Sequence, residues 1–407
     1  MNYISKHMME TVSNAVLDFI NWLDRYGETS QDHQDFYAGN FSRRAKELYY
    51  RRPIIGKLAV LPMVFCEAFV PRARALFHTR MRLPIADAHY AMGFALLFMV
   101  TKNEQYYEKA VHFLEVLKQT RCLGYTHYAW GYPFDWQTRG GIVKAGTPLI
   151  TTTPYCYEAF DYVYQIDGRQ EWLDIMYSIS EHVLNDYGDQ PFGNEATSCT
   201  YTPLGEEGVV NASAYRSFLL TKAWKEFNKE IYWETAERNL NFVLQTQKKD
   251  GSWPYAVDGV RDFIDHFHTC FVLKALAKID NIIDHQRTKE AIRRGVQFYL
   301  SNLFDAKNLP IPFARAPRLL IYKRELYDYA ECLNLATLLG QYFPGLGEIR
   351  KCVLEDLLRR WRKPDGSFRS RRLLLGWDNV PMHRWGQAMI FRSLCLILYS
   401  EGSKKVL

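Results

Sequence analysis

Two sets of side chains in this sequence could each support a reaction. The first is a set of carboxylates: Asp87, Asp265, Asp328 and Glu331, with Asp135, Asp258 and Asp262 in loops. Two carboxylates flanking a glycosidic bond suit hydrolysis, one of them acting as the acid. Asp328 and Glu331 lie one helical turn apart and would face the same way. Each carboxylate could instead cap a helix or pair with an arginine. The second set is Tyr215, Tyr327 and Tyr329 with Asn211, His266, His268 and Arg384. It suits abstraction of the acidic proton beside a uronate carboxylate. Asn, His and Arg neutralise that carboxylate, and Tyr or His carries the proton. A free tyrosine titrates near about 10, so a tyrosine base needs positive charge beside it. Returning the proton to the opposite face would be epimerisation; expelling the leaving group would be elimination. Core filling with a satisfied hydroxyl is the alternative for each tyrosine.

Several chemistries are excluded. His266 and His268 are two residues apart, which on a helix turns their rings apart, so no metal site is expected. The eight cysteines contain no CxxC pair or zinc spacing and read as reduced thiols of a cytoplasmic protein. No Walker A loop, GxSxG elbow or dinucleotide fingerprint occurs, so no cofactor is expected. Gln245–Trp253 (QTQKKDGSW) matches the glutamine–tryptophan repeat of triterpene cyclases, a tie between helix end and loop. No DxDD acid motif accompanies it.

These residues are carried by a degenerate repeat. Six long apolar stretches, 84–100, 147–164, 209–225, 262–279, 325–340 and 380–398, carry Tyr90, Tyr155, Tyr215, His268, Tyr329 and Trp385 at intervals of 53 to 65 residues. Helices apolar on nearly every face are buried on nearly every side. Amphipathic segments at 104–119, 171–185, 230–247, 288–303 and 348–362 alternate with them, and the helix near 8–23 would make a sixth. The expected fold is all-α: an (α/α)6 toroid over residues 83–407, with residues 1–82 as a basic helical extension packed on it. Long Gly-, Pro- and aromatic-rich loops precede the inner helices, so they share one rim with the inner-helix N-termini. That rim gathers Asp87, His89, Tyr155, Asn211, His383, Arg384 and Trp385 as substrate contacts, with Trp253 and Tyr255 from the loop above. Positive helix ends there favour an anionic substrate.

Read against known families, the chain resembles the helical-toroid carbohydrate-active enzymes, a group of polysaccharide lyases, glycosidases and sugar epimerases. Leu326–Leu339 (LYDYAECLNLATLL), Ser213–Thr221 (SAYRSFLLT) and Cys270–Leu276 (CFVLKAL) look like inner helices of the helical domain of glucuronyl C5-epimerases. The resemblance implies proton transfer by tyrosines at those helix starts, which by position are Tyr327 and Tyr329. The expected partner is an acidic oligo- or polysaccharide. Hydrolysis, or a non-catalytic glycan-binding scaffold role, are the alternatives.

The net charge of +6 is unevenly distributed. Residues 41–82 hold ten Lys or Arg against Glu47 and Glu67, and residues 359–372 hold seven against Asp365. No nucleic-acid reading module accompanies either cluster, so no nucleic-acid partner is expected. Within the first cluster, Pro53–Val70 (PIIGKLAVLPMVFCEAFV) is apolar but interrupted by Lys57, Pro62 and Glu67, a poor spanning helix. A buried helix pair is expected there. Contact of residues 41–82 with an anionic inner-membrane surface is the alternative.

Overall fold

The computed structural model describes residues 4–403. Its helices are α1 (Lys6–Tyr26), α2 (Asp35–Ala38), α3 (Asn40–Arg51), α4 (Pro53–Phe69), α5 (Arg74–Phe77), α6 (Pro84–Thr101), α7 (Glu104–Gln119), α8 (Thr153–Asp167), α9 (Gln170–Asn185), α10 (Val210–Phe227), α11 (Glu230–Gln245), α12 (His266–Ile283), α13 (Gln286–Asn302), α14 (Leu326–Leu339), α15 (Pro344–Asp356) and α16 (Ala388–Ser403). The apolar stretches become the inner ring. Every residue of α6 from Pro84 to Leu97 is buried, as is every residue of α14 from Leu326 to Ala336. Each inner helix packs on the next, α6 on α8, then α10, α12, α14 and α16, and α16 packs back on α6. The amphipathic α7, α9, α11, α13 and α15 pack outside α6, α8, α10, α12 and α14. The fold is the expected (α/α)6 toroid.

Local signals mark the turns between inner and outer helices. Four inner helices end on a left-handed residue, Lys102, Gly168, Asn228 and Asp284, and the outer helix begins two residues later. Each left-handed residue donates its N–H to the carbonyl four residues back and reverses the chain in the shortest distance.

The N-terminal helix supplies the sixth outer position. α1 packs on α16, and its Asp18 pairs with Arg362 at the end of the last outer segment. A repeated Asp-Gly-Ser turn makes the equivalence explicit. At Gly251 (φ +92°) a Cβ would stand 2.3 Å from the Arg294 carbonyl of α13; at Gly366 (φ +97°) it would stand 2.2 Å from the Asp18 carbonyl of α1. In both turns the aspartate carboxylate accepts from the serine N–H and Oγ–H. α1 thus stands to α16 as α13 stands to α12, in the place expected for the helix near 8–23.

Three inner helices start later than the apolar pattern predicts, because loop pairing captures their first residues. Leu149 donates to the Trp130 carbonyl, so α8 starts at Thr153. Ile264 and Asp265 pair with Phe313–Arg315, delaying α12 to His266. Before α16, Trp385 and Gly386 (φ +145°) are non-helical. The strands are all short and crown one end of the ring. Residues 303–325 lace that crown together, pairing Phe313–Arg315 with the α12 approach and Tyr322–Glu325 with Arg371–Leu373.

The chain between α1 and α6 sits on the same crown. Arg74 pairs with Asp378 at 2.7 Å, both side chains fully buried, and Glu67 of α4 pairs with Arg371 at 2.7 Å. α4 is not the buried helix expected from its composition. It buries Met63, Glu67 and Ala68 beneath it but exposes Ile54, Leu58, Leu61, Phe65 and Phe69.

Candidate active site

The inner helices open at the crown into a narrow cavity with about 90 Å³ of water-accessible space. It is lined by Ile85, Tyr132, Thr151, Tyr155, Tyr201, Asn211, Tyr215, Phe267, His268, Phe271, Tyr327, Arg384, Trp385 and Met389. No carboxylate is among these residues. A wider groove of about 790 Å³ between α1, α6 and α16 lies at the opposite end and is mostly apolar.

His268 is held by the start of its own helix. Asp265 is the N-cap of α12: one carboxylate oxygen accepts from the His268 backbone N–H at 2.9 Å, and the other meets His268 Nδ1 at 2.6 Å. With Nδ1–H donating to this buried carboxylate, the neutral form of the ring carries its lone pair on Nε2. A capping residue has therefore also set the tautomer of a cavity histidine. Two residues earlier, His266 turns the other way. Its Nε2 meets Tyr299 Oη at 2.7 Å between α12 and α13, and burial drops its pKa to about 3. The i, i+2 spacing separates the rings as helix geometry requires.

The opposite wall comes from the irregular turn before α16. Trp385 stacks on Tyr327 (centroids 4.7 Å, 25°) and on His33 (5.2 Å, 19°), and its Nε1–H donates to Glu325 at 2.9 Å. Arg384 lies 4.3 Å from the Tyr132 ring centroid and donates twice to Asp32, at 2.8 and 2.6 Å. Burial opposes the Asp32 charge, but Arg384 outweighs it and holds that carboxyl below its usual range. Phe267 and Phe271 each make ring contacts with both His268 and Tyr327.

Tyr155 and Tyr215 share a 2.7 Å hydroxyl contact. Burial raises Tyr155 to about 12 and pushes Tyr215 and Tyr327 well above 10. The positive charge expected to make a tyrosine into a resting base is outweighed by desolvation, so these hydroxyls are protonated at neutral pH and can only donate first. Asn211 is 2% exposed, and neither its amide nitrogen nor its oxygen has a hydrogen-bond partner. A buried, unsatisfied amide on a cavity wall is costly unless a ligand completes it.

The structure therefore brings Tyr155, Asn211, Tyr215, His268, Tyr327, Arg384 and Trp385 to one cavity. Tyr255 flanks it, 4.6 Å from the His268 ring. The others stand elsewhere. Tyr329 donates to Asp356 at 2.8 Å and packs on Trp361, between the inner and outer rings. His383 bonds Tyr90 and the Gly27 carbonyl, and Trp253 donates to the Val243 carbonyl as an internal wedge. Asp87 pairs with Arg82, and burial raises its pKa to about 7. His89 packs beneath Tyr155 at 4.6 Å. Glu331 pairs with Lys274 in the floor, where Lys278 and Arg392 also hold Glu158. Asp328 is fully buried without a hydrogen-bond partner, and desolvation drives its pKa far up. The one-turn spacing of Asp328 and Glu331 does not put them in the cavity, because α14 is buried on both faces.

Sequence reasoning missed Tyr132, Thr151, Tyr201 and Asp32 as wall and support. Tyr132 and Tyr201 sit in two of the long aromatic loops, which was a usable signal. Asp32 had none, since its link to Arg384 spans 352 residues.

No protein-family model matches the sequence, and no curated protein does. Solved structures match the fold. An unsaturated glucuronyl hydrolase specific for heparin superposes with TM-score 0.63 at 10% identity, covering 98% of both chains. Cellobiose 2-epimerase from Bacillus thermoamylovorans B4167 gives 0.59 at 10% identity, over 78% of this chain and 87% of that one. A polysaccharide lyase gives 0.55 at 11% identity, over 79% and 90%. The chain is thus an (α/α)6 toroid of the architecture found in these sugar hydrolases, epimerases and lyases.

Proposed function

We propose that the protein is a carbohydrate-active enzyme that abstracts a carbon-bound proton, the C5 proton of a uronate residue in an acidic glycan. The observation that carries this reading is a cavity with an oriented histidine and protonated tyrosines but no carboxylate in its wall. Hydrolysis through paired carboxylates would need acid and base facing the bond. Here Asp265 is spent on His268, Asp32 on Arg384 and Glu331 on Lys274.

His268 Nε2 takes the C5 proton. Charge then develops on the uronate carboxyl group, where the unpartnered Asn211 amide and the Arg384 guanidinium can stabilise it. Tyr327, or Tyr215 through Tyr155, supplies a proton, to the opposite face of C5 in an epimerase or to the leaving oxygen in a lyase. Trp385 and Tyr132 provide aromatic faces for sugar rings. Outside the cavity, Arg318 acts on Lys46, Tyr50 and His33, and Arg139 lies over Tyr50 at 5.5 Å, a cationic approach suited to an anionic chain. The neighbours named for a glucuronyl substrate and for sugar epimerisation lend this reading support by analogy of fold.

The test is deuterium entry at C5 of a glucuronate-containing oligosaccharide in deuterated buffer, followed by NMR. Wild type should exchange, and His268→Ala and Tyr327→Phe should lose the exchange. Reducing-end release without deuterium entry would establish hydrolysis instead.

A further inference from the structure

We infer that the α3–α4 hairpin is a docking surface for an anionic lipid bilayer, placed beside the mouth of the toroid. Nothing in the sugar chemistry requires it. α4 carries Ile54, Leu58, Leu61, Phe65 and Phe69 at spacings of four, three, four and four residues, which is a single helical stripe. These side chains are 55–83% exposed. Leaving so many contiguous apolar groups in water is costly, and a folded protein keeps such a stripe where something covers it.

The flanking charges identify the occupant. Arg44, Arg51, Arg52, Lys57 and Arg72 are exposed around the stripe; of the nearby acids, Glu47 is paired with Arg51, Asp135 lies 3.7 Å from Arg43, and Glu206 acts on Lys46 and Tyr50 of α3. An apolar face rimmed by arginines and lysine matches acyl chains beneath anionic headgroups. It does not match a second copy of the chain, because a face-to-face pair would set this basic rim against itself. The helix also lies along the protein rather than projecting from it. Its underside packs on α2 and α3 through Met63 against Phe36 and Ala45, and the chain bends by 117° after Phe69. That geometry suits lying in the interface plane, not crossing it.

The hairpin is joined to the cavity wall by buried polar contacts. Glu67, on the underside of α4, pairs with Arg371; Arg371 pairs with Glu325 at 3.0 Å; Glu325 accepts from Trp385 Nε1. A bilayer held against α4 would therefore bring the cavity mouth close to the lipid surface.

Flotation of the full-length protein with vesicles tests the inference, using neutral phosphatidylcholine against phosphatidylcholine containing 30 mol % phosphatidylglycerol. Wild type should float with the anionic vesicles and remain behind with the neutral ones. Leu58→Glu/Phe65→Glu should abolish flotation. Because both positions are exposed, its melting temperature should match wild type. Arg51→Glu/Arg52→Glu/Lys57→Glu keeps the apolar stripe and should lower partitioning by on the order of a hundredfold. Wild type failing to float with anionic vesicles overturns the inference. So does equal flotation of the charge-reversal variant. A wild-type dimer in sedimentation that Leu58→Glu/Phe65→Glu turns into a monomer, without vesicle binding, assigns the face to a second copy instead.

Discussion

Asp265→Asn isolates the step on which the proposed chemistry depends. The asparagine oxygen can still accept from the His268 backbone N–H, so the cap of α12 survives. The other position becomes an NH2 group facing Nδ1, and a donor there forces Nδ1 to accept. The imidazole proton moves to Nε2, and the cavity then sees an N–H where it had a lone pair. Loss of a correctly presented base removes about 10²–10⁴ in rate, or about 3–5 kcal/mol of barrier, while substrate binding through Asn211 and Arg384 is kept. Folding should suffer less, by about 1–2 kcal/mol, because one charge-assisted hydrogen bond is replaced by a neutral one. The assay is C5 deuterium entry at saturating oligosaccharide, with kcat and KM separated. Long-range 15N NMR of labelled histidine reads the tautomer without any substrate. A reversed tautomer with exchange within threefold of wild type would remove His268 as the base. An unchanged tautomer in the variant would refute the hydrogen-bond reasoning itself.

Three further outcomes are expected. Gly366→Val sets a β-branched side chain at φ +97° with its Cβ against the Asp18 carbonyl of α1; the ring seam should loosen by about 3 kcal/mol or more, read by urea unfolding. Asp328→Asn should cost less than Glu331→Gln, because burial without a hydrogen-bond partner already favours the neutral form of the Asp328 carboxyl; Glu331→Gln should cost about 3–5 kcal/mol by leaving the Lys274 charge buried alone, and matched denaturation curves compare the two. Asp87 has a folded pKa raised by burial to about 7 against an ordinary 3.8, so its contribution to stability is fully present below about pH 4 and is lost as pH rises through 7. Melting temperatures from pH 5 to 8.5 should therefore fall more steeply for wild type than for Asp87→Asn, and parallel slopes would contradict this.

How much of the site was legible depended on whether a residue's partner was near in sequence. His268 and Asp265 are three residues apart at a helix start, and local geometry determines both the cap and the ring direction. The separation of His266 from His268 followed from the same rule. Tyr329 illustrates the limit. It lies two residues from Tyr327 on an equally apolar helix, yet it faces Asp356 and Trp361 outside the inner ring. When every face of α14 is buried, hydrophobic periodicity no longer tells which face lines the cavity. The α4 stripe failed in the opposite sense, since apolar composition reads as core whether or not anything covers it.

The alternation of inner and outer helices, the number of pairs and the end of the ring that carries the long loops were all readable from the residues in chain order. These follow from patterns a few residues long, repeated six times, and from caps that act within one turn. Which polar residues meet is a consequence of ring closure. Arg384 with Asp32, Arg371 with Glu67 and Glu325, and α1 against the Gly366 turn each join parts of the chain that no local rule connects. Ring closure brings the N-terminal helix beside the last inner helix, and the crown loops are laced by pairing between distant segments. The absence of carboxylates from the cavity wall is a result of that closure: Asp265 is held by the α12 start and His268, Asp32 by Arg384, Asp87 by Arg82 and Glu331 by Lys274, while Asp328 is buried away from the cavity without a partner.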